Sequence, residues 1–377
     1  MEIHITLEEM FSKNKKNKKV LVAMSGGVDS SVAALLLQKQ GYRVIGGFIR
    51  GYNVDGCQDK EGEDARRVAQ HLGIPFYVFD LEKEYKQRVV SYLLDGYRKG
   101  ITPNPDVVCN SAIKFGLFFD KAIELGADYV ASGHYARLKT KVSFGKWLIQ
   151  KEHALYQAND LSKDQTYFLW QVPRERFEKI LFPIGHLTKK KVRAIARKAG
   201  IPTADKKDSQ GVCFLGKFKF DEFLKNNIPI THGDIIDMHG KKVGEHDGVW
   251  FYTVGQKHGF SNTAGKSYYV VKKDITRNQL IVAYEGDECL YGNECAITDI
   301  NWLDSASRAT YDHKQRVNCL VRVRYRQRLL RATLVGAGST QNGTLLFGSK
   351  EKLFPASGQS AVFYSHWGRA LGGGVIQ

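Results

Sequence analysis

The sequence predicts an α/β protein: a doubly wound parallel sheet at the N-terminus, then a helical region, then two small β domains, the last a β-barrel. Three observations lead there. Between Val20 and Ser132, short apolar runs alternate with helical patterns, as parallel strands joined by right-handed crossovers require. From Asp164 to Ala199 helical spacing dominates, interrupted at Pro173 and Pro183. From about Gly233 onward, Gly-rich turns separate short β-like runs and no helical pattern of any length returns.

Each element has its own signal. Val20 to Met24 is a continuous apolar run, Ser25-Gly26-Gly27-Val28-Asp29 reads as the turn leaving it, and Ser30 to Gln40 reads as a helix stopped by Gly41. Val44 to Ile49 is a second strand. Glu61 to Leu72 is a helix with Ala65, Val68, Ala69 and Leu72 on one face and Gly73 as its stop. Phe76 to Leu81 supplies a third strand, Glu82 to Arg98 and Ser111 to Leu125 two further helices, and Tyr129 to Ser132 a fourth strand. Lys139 to Gln157 alternates around Gly145 as a hairpin. Thr188 to Ala199 is a helix capped by Thr188, turning Val192, Ile195, Ala196 and Ala199 inward and carrying Lys189, Lys190, Lys191, Arg193, Arg197 and Lys198 without an acid. Val317 to Arg326 alternates strictly, with Val317, Cys319, Val321, Val323 and Tyr325 on one face and Asn318, Leu320, Arg322, Arg324 and Arg326 on the other. A row of arginines suits phosphate contact and a plain solvated strand equally well. The breaks divide the chain into a basic tail (1–19), an α/β domain (20–215) that includes the helical region 160–205, a central β-rich domain (216–288) and a C-terminal barrel (289–377).

Composition narrows the class. The 377 residues suffice for two or three domains, and 43% hydrophobic with 25% charged is an ordinary globular balance. Lys and Arg number 56 against 39 Asp and Glu, an excess of +17 that suggests a polyanionic partner such as nucleic acid or a membrane surface. No stretch approaches the ~18–20 apolar residues that span a bilayer, and Met1 to Met10 lacks the apolar core of a secretory signal. The expected compartment is the cytoplasm. The 6 cysteines (57, 109, 213, 289, 295 and 319) are scattered, with no Cys-x-x-Cys pair and no zinc spacing, so the composition predicts free thiols and no tightly bound metal.

The most specific local signal is Ser25-Gly26-Gly27-Val28-Asp29-Ser30-Ser31 between a buried strand and a helix. Glycines let backbone N–H groups approach phosphate oxygens, serines add donors, and the helix N-terminus adds partial positive charge. The lysine that ends a Walker A loop is missing. The loop resembles the PP-loop of ATP pyrophosphatases, which split ATP between the α- and β-phosphates and activate a carbonyl oxygen as its adenylate. Asn104-Pro105-Asp106-Val107-Val108-Cys109-Asn110 and Asp208-Ser209-Gln210-Gly211-Val212-Cys213-Phe214 resemble the two cysteine motifs of the tRNA-specific 2-thiouridylase (MnmA) family. The resemblance runs from Val20 nearly to the C-terminus. It takes in Ser132-Gly133-His134-Tyr135-Ala136-Arg137, Lys163-Asp164-Gln165-Thr166-Tyr167-Phe168, Thr253-Val254-Gly255-Gln256-Lys257 and Arg322-Val323-Arg324-Tyr325-Arg326.

The resemblance implies an enzyme that replaces the C2 oxygen of the tRNA wobble uridine by sulfur, with ATP and Mg²⁺. It implies that Cys213 carries the sulfur as a persulfide and that Cys109 resolves it, leaving a transient Cys109–Cys213 disulfide. A thiol reacts as its thiolate, which nearby cations favour, and Lys206, Lys207 and Lys217 flank Cys213. By the same resemblance Ala23, Met24, Ser25, Gly26, Gly27, Val28, Asp29 and Ser30 hold ATP, with Gly133 against the nucleotide. Ile49 stands where the family usually has a Met beside the adenine. Asn104, Pro105 and Asp106 contact the target base, Asp106 also orienting it or shuttling a proton, and His134, Lys163, Asp164, Gln165, Arg324, Tyr325 and Gln359 contact tRNA. The partners implied are the tRNA anticodon stem-loop and a cysteine desulfurase or sulfur relay, with no membrane. Two rivals remain at this level: a small-molecule PP-loop ligase of the GMP synthetase kind, which needs neither cysteine nor the +17, and an RNA-binding protein that has lost turnover, which would show a damaged loop or a missing cysteine.

Overall fold

The computed structural model describes residues 17–53, 56–144, 149–208, 220–258, 268–336, 341–351 and 355–377. Cys213, Lys217, Gly145 and most of the basic tail lie outside these residues. The chain forms two compact units: one runs up to Lys86 and again over Asp106–Lys217, the other takes Gln87–Pro105 and Phe218–Gln377.

The first unit is the predicted doubly wound sheet. Strands β1 (Lys19–Ala23), β2 (Arg43–Arg50), β3 (Phe76–Asp80) and β4 (Tyr129–Ser132) pair in parallel in the order β3-β2-β1-β4, with helices α1 (Val28–Lys39) and α2 (Cys57–Leu72) between the first three. The strand order reverses between β1 and β4, so their carboxyl ends flank the position where such sheets bind ligands. Helix α1 is apolar almost all round, with Val28, Val32, Ala33, Ala34, Leu35 and Leu37 buried. Helix α2 starts at Cys57, earlier than Glu61, because the Asn53 side chain accepts from the Gln58 N–H.

Two stretches depart from expectation. The helix expected from Ser111 begins instead at Pro105, as short α-helical and π-helical segments (Pro105–Val108, Cys109–Leu117) followed by Phe118–Glu124. Proline favours the first helical position, where its missing N–H costs nothing. The Asp164–Ala199 region is not continuously helical: 3₁₀ turns at Thr166–Phe168 and Arg174–Lys179 precede a two-residue strand, Ile180–Leu181, that adds to β4 as the fifth strand of the sheet. Side-chain hydrogen bonds to the backbone and to neighbouring side chains override helical spacing there. The buried Asp164 carboxylate accepts from the Ala158 N–H, Gln157 Nε2 and Thr166 Oγ1 and fixes an irregular turn. Only Lys189–Lys198 is an α-helix, with Val192 and Ala196 fully buried as predicted. Its Thr188 cap accepts from Lys191 N–H at 3.3 Å. Thr188→Ala is expected to lower the urea midpoint with an unchanged slope, a loss of about 1 kcal/mol; an unmoved midpoint would show that packing alone holds this helix.

The second unit holds a five-stranded sheet (Gly233–Asp237, Lys242–His246, Lys257–His258, Tyr268–Asp274, Gln279–Tyr284) and a closed six-stranded barrel built from Gly292–Trp302, Arg316–Arg322, Leu330–Gly336, Gly343–Glu351, Ser360–Tyr364 and Ala370–Ile376. The expected all-β composition is interrupted by a helix, Ser305–Lys314, whose first turn Asp304 caps through the Ser307 N–H. Only Tyr311 of that helix is buried, so it left no apolar stripe to read. The 87–105 segment is fastened to the barrel: Thr102 N–H donates to the Ser357 carbonyl at 2.7 Å, and Gln359 Nε2 donates to the carbonyls of Thr102 and Pro103.

The arginine row is shorter than the alternation predicted. The strand ends at Arg322, and the chain turns through Arg324–Gln327, with the Gln327 N–H on the Arg324 carbonyl and Arg326 at φ 64°. Arg322 is 8% exposed with its guanidinium over the Tyr364 ring, and Arg324 donates to the Val254 carbonyl. Arg326 and Arg328 remain on the surface.

Candidate active site

The loop between β1 and α1 is built for close approach. Gly26 takes φ +67°, and a Cβ there would stand 2.4 Å from the Glu61 carbonyl oxygen. Gly133, at the end of β4, lies so near the start of α1 that a Cβ would stand 2.5 Å from the Ser30 nitrogen. No side chain caps α1 among the described residues, which leaves its first-turn N–H groups directed at the loop. Ser30 Oγ bridges the Ser25 N–H and the Gly27 carbonyl, while Ser25 is exposed and Met24 and Ala23 are buried beneath. Met24 N–H donates to the Gly47 carbonyl, tying the loop to β2, where Ile49 is half-buried near the strand's end. An uncapped helix start beside a backbone with no room for a side chain fits a phosphate chain.

Around this loop lies an ionic cluster that sequence reasoning missed. Lys189 Nζ binds both oxygens of Asp29 at 2.8 Å and Asp208 at 2.7 Å, and Tyr135 Oη donates to Asp29 at 2.9 Å. Lys163 and Arg193 each reach Asp208 at 2.8 Å. Partial burial raises the Asp208 carboxyl, but the hydrogen bonds and charges of Lys163 and Lys189 together outweigh it and hold the carboxyl at about 2. Lys206 donates to Asp64 and to the Gly26 carbonyl, so it braces the loop. Three of the six cations on the Lys189–Lys198 helix are therefore paired, Arg197 with Asp205, and the helix is not simply a basic face. Its spacing hid this, because the partners lie far along the chain.

Asp106 and Cys109 stand on one continuous helical stretch. The π-helical turn brings residues five apart onto one side, which sets Lys114 near Cys109. Arg176 donates to the Phe115 and Gly116 carbonyls that the distorted turn leaves exposed. Lys114 Nζ holds Asn110 Oδ1, and Asn110 Nδ2 holds the Asp106 carbonyl. Burial pushes the Cys109 thiol above its ordinary value, against the pull of Lys114 and a hydrogen bond from Tyr85. Burial also raises the Asp106 carboxyl from 3.8 to about 6, with Lys114 pulling the other way. The folded value lies above the unfolded one, so Asp106 contributes stability below pH 3.8 that is lost as pH rises through about 6. Asp106→Asn is expected to stabilise the fold at pH 7.5 by on the order of 1–2 kcal/mol and not at pH 3.5. Urea melts at the two pH values check this; a variant no more stable at pH 7.5 would show that the carboxylate is not strained.

The other predicted residues fall into two groups. His134 and Asp164 are not surface residues, at 6% and 2% exposure. His134 Nδ1 is 2.8 Å from Ser132 Oγ, its ring sits by Phe115 and Phe182, and burial holds its pKa well below the ordinary value, so it is neutral. Gln165 is engaged with Tyr135 through its Oε1 and its N–H, and Lys163 with Asp208. Asn104 and Pro105 are buried, and Gln359 secures the backbone just before them. Tyr325 is half-buried beneath the Arg326 guanidinium.

The sheet order, the uncapped loop and the close Gly133 define a nucleotide-binding domain of the PP-loop class. The family described as tRNA methyl transferase HUP domain matches residues 18–217, followed by a tRNA methyl transferase PRC-barrel domain at 221–284 and an aminomethyltransferase beta-barrel domain at 292–376. The tRNA-specific 2-thiouridylase MnmA of Alkaliphilus oremlandii (strain OhILAs) is 42% identical over 363 residues, covering 94% of this chain and 95% of that one. That of Bacillus subtilis (strain 168) is 41% identical over 372 residues, covering 97% and 96%. The chain belongs to the tRNA-specific 2-thiouridylase (MnmA) family. Among solved structures, a 4-thiouridine synthetase–RNA complex with bound ATP overlaps 56% of this chain and 50% of that chain at 17% identity and TM-score 0.33. NMN synthetase from Francisella tularensis overlaps 58% and 76% at 16% identity and TM-score 0.35.

Proposed function

We propose that this protein performs ATP-dependent 2-thiolation of the wobble uridine, position 34, of tRNAs of the Lys, Glu and Gln type. The observation that carries the reading is the pairing, within a chain of this family, of an uncapped phosphate loop with Asp106 and Cys109 on one helical stretch. Uracil O2 attacks the α-phosphorus of ATP, held with Mg²⁺ in the Ala23–Ser30 loop, and pyrophosphate leaves. The terminal sulfur of a Cys213 persulfide then attacks C2, and AMP departs with the original oxygen. Cys109 thiolate attacks the Cys213 sulfur, which leaves the outer sulfur on the base and forms a Cys109–Cys213 disulfide that a two-electron thiol reductant reopens. Asp106, with its carboxyl held near neutrality, is suited to passing protons at the base.

The RNA partner is the anticodon stem-loop, with the target base splayed out so that its edge can be read. Exposed Lys190, Lys191 and Lys198, with Arg326 and Arg328, are the cations best placed for phosphates, while His134 pairs with the Ser132 hydroxyl and Asp164 accepts from the Ala158 backbone N–H. The sulfur donor is a cysteine desulfurase acting directly or through a relay. No described helix is long and apolar enough to cross a membrane, and the place of action we propose is the cytoplasm. The test incubates the protein with unmodified tRNA, ATP, Mg²⁺ and a persulfide donor, and reads thiolation on a mercury-retarded gel. A retarded band that disappears when U34 is replaced by cytidine is expected; no band, or one that survives the replacement, defeats the reading.

A further inference from the structure

The carboxylate of Asp208 is held by three donors, two of which have other partners. Lys163, Lys189 and Arg193 approach it at 2.7–2.8 Å. Arg193 is fixed separately by the carbonyls of Ala204 and Lys206, at 2.9 and 3.0 Å. Lys189 is fixed separately by both oxygens of Asp29, in the first turn of the helix that follows the nucleotide loop. Lys189 and Arg193 would therefore keep their positions if Asp208 moved. Asp160 also faces the cluster, its carboxylate accepting from the Lys189 backbone N–H at 2.9 Å, so the three side-chain cations converge on Asp208 without an excess of charge. Asp208 itself lies in irregular backbone, with no helix or strand to hold it. Phosphate oxygens, which accept several charge-assisted hydrogen bonds at once, match three such donors better than one carboxylate does.

We propose that Lys163, Lys189 and Arg193 form a phosphate subsite beside the nucleotide loop, and that Asp208 occupies it as an internal anion until a phosphate takes its place. The inference rests on the nucleotide-loop reading given above. The incoming group is a phosphate either of ATP or of the RNA backbone. Calorimetric titration of ATP, inorganic pyrophosphate and unmodified tRNA into the full-length protein separates the two. Asp208→Asn keeps the shape and removes the competing charge, so it is expected to tighten the phosphate ligand by about tenfold, while Arg193→Gln weakens it by about tenfold. Tightening for ATP and pyrophosphate assigns the subsite to the nucleotide; tightening for tRNA alone assigns it to the RNA. Weaker or unchanged binding of all three by Asp208→Asn overturns the proposal and leaves Asp208 a structural clamp. If Asp208→Asn does not melt cooperatively, Arg193→Gln decides: unchanged affinity for pyrophosphate and tRNA overturns the proposal. Failure of the unaltered protein to bind ATP would instead sink the nucleotide-loop reading itself.

Discussion

Cys109→Ser is expected to lower tRNA thiolation at least about a thousandfold while tRNA-dependent release of pyrophosphate continues. A serine hydroxyl is a far weaker nucleophile toward a sulfur–sulfur bond than a thiolate, so in the proposed mechanism the sulfur bridge to the base would form and stay unresolved. Cys213→Ser, which would remove the proposed persulfide, should give the same loss. Burial raises the Cys109 thiol above its ordinary value, so thiolate, and with it the resolving step, increases with pH. A single-turnover thiolation assay between pH 7 and 9, beside a pyrophosphate-release assay, checks both parts. Retained thiolation in Cys109→Ser would remove this residue from the chemistry.

Gly133→Ala is expected to weaken ATP binding by roughly ten- to a hundredfold, the range that about 1–3 kcal/mol of overpacking strain at the loop corresponds to. The added Cβ would meet the Ser30 nitrogen at 2.5 Å, the Asp29 carbonyl carbon at 2.7 Å and Ser30 Cα at 2.8 Å. All three are backbone atoms and none can rotate aside, so either the start of α1 or the end of β4 must move. The cost of such overpacking is about 1–3 kcal/mol, and a lowered melting temperature should accompany the lost affinity. ATP titration with a thermal melt measures both. Affinity within twofold of the unaltered protein would show slack in the loop that the structure does not contain.

Local signals carried the first unit. The strands from Val20 to Ser132 and the Gly-rich turn are written in contiguous apolar runs and glycines, and β4 spans Tyr129–Ser132 as predicted. What stayed hidden depends on partners far along the chain. The Asp29–Lys189 pair joins residues 160 apart, and Lys206 reaches the Gly26 carbonyl from 180 residues away. A cation-rich helix reads as a solvated face until those acids are in view. His134 shows the converse: its motif placed it at the RNA, and its ring is enclosed by Phe115 and Phe182. The Ser305–Lys314 helix escaped because it buries one tyrosine and so has almost no periodicity. Proline as the first helical residue at Pro105 was readable, and would have placed Cys109 on a helix from the outset.

The fastening of Thr102 to Ser357 and Gln359 has a bearing on synthesis. Its hydrogen bonds join residues up to 257 positions apart, so the peptide leading into Asp106 cannot settle until nearly the last codon has been translated. A nascent chain stalled near residue 220 would hold every strand of the first sheet and the nucleotide loop, yet lack the hydrogen-bond partners of Thr102 and Pro103. The 87–105 segment therefore completes its own hydrogen bonds only after the rest of the second unit has been made, although it is synthesised before most of the first.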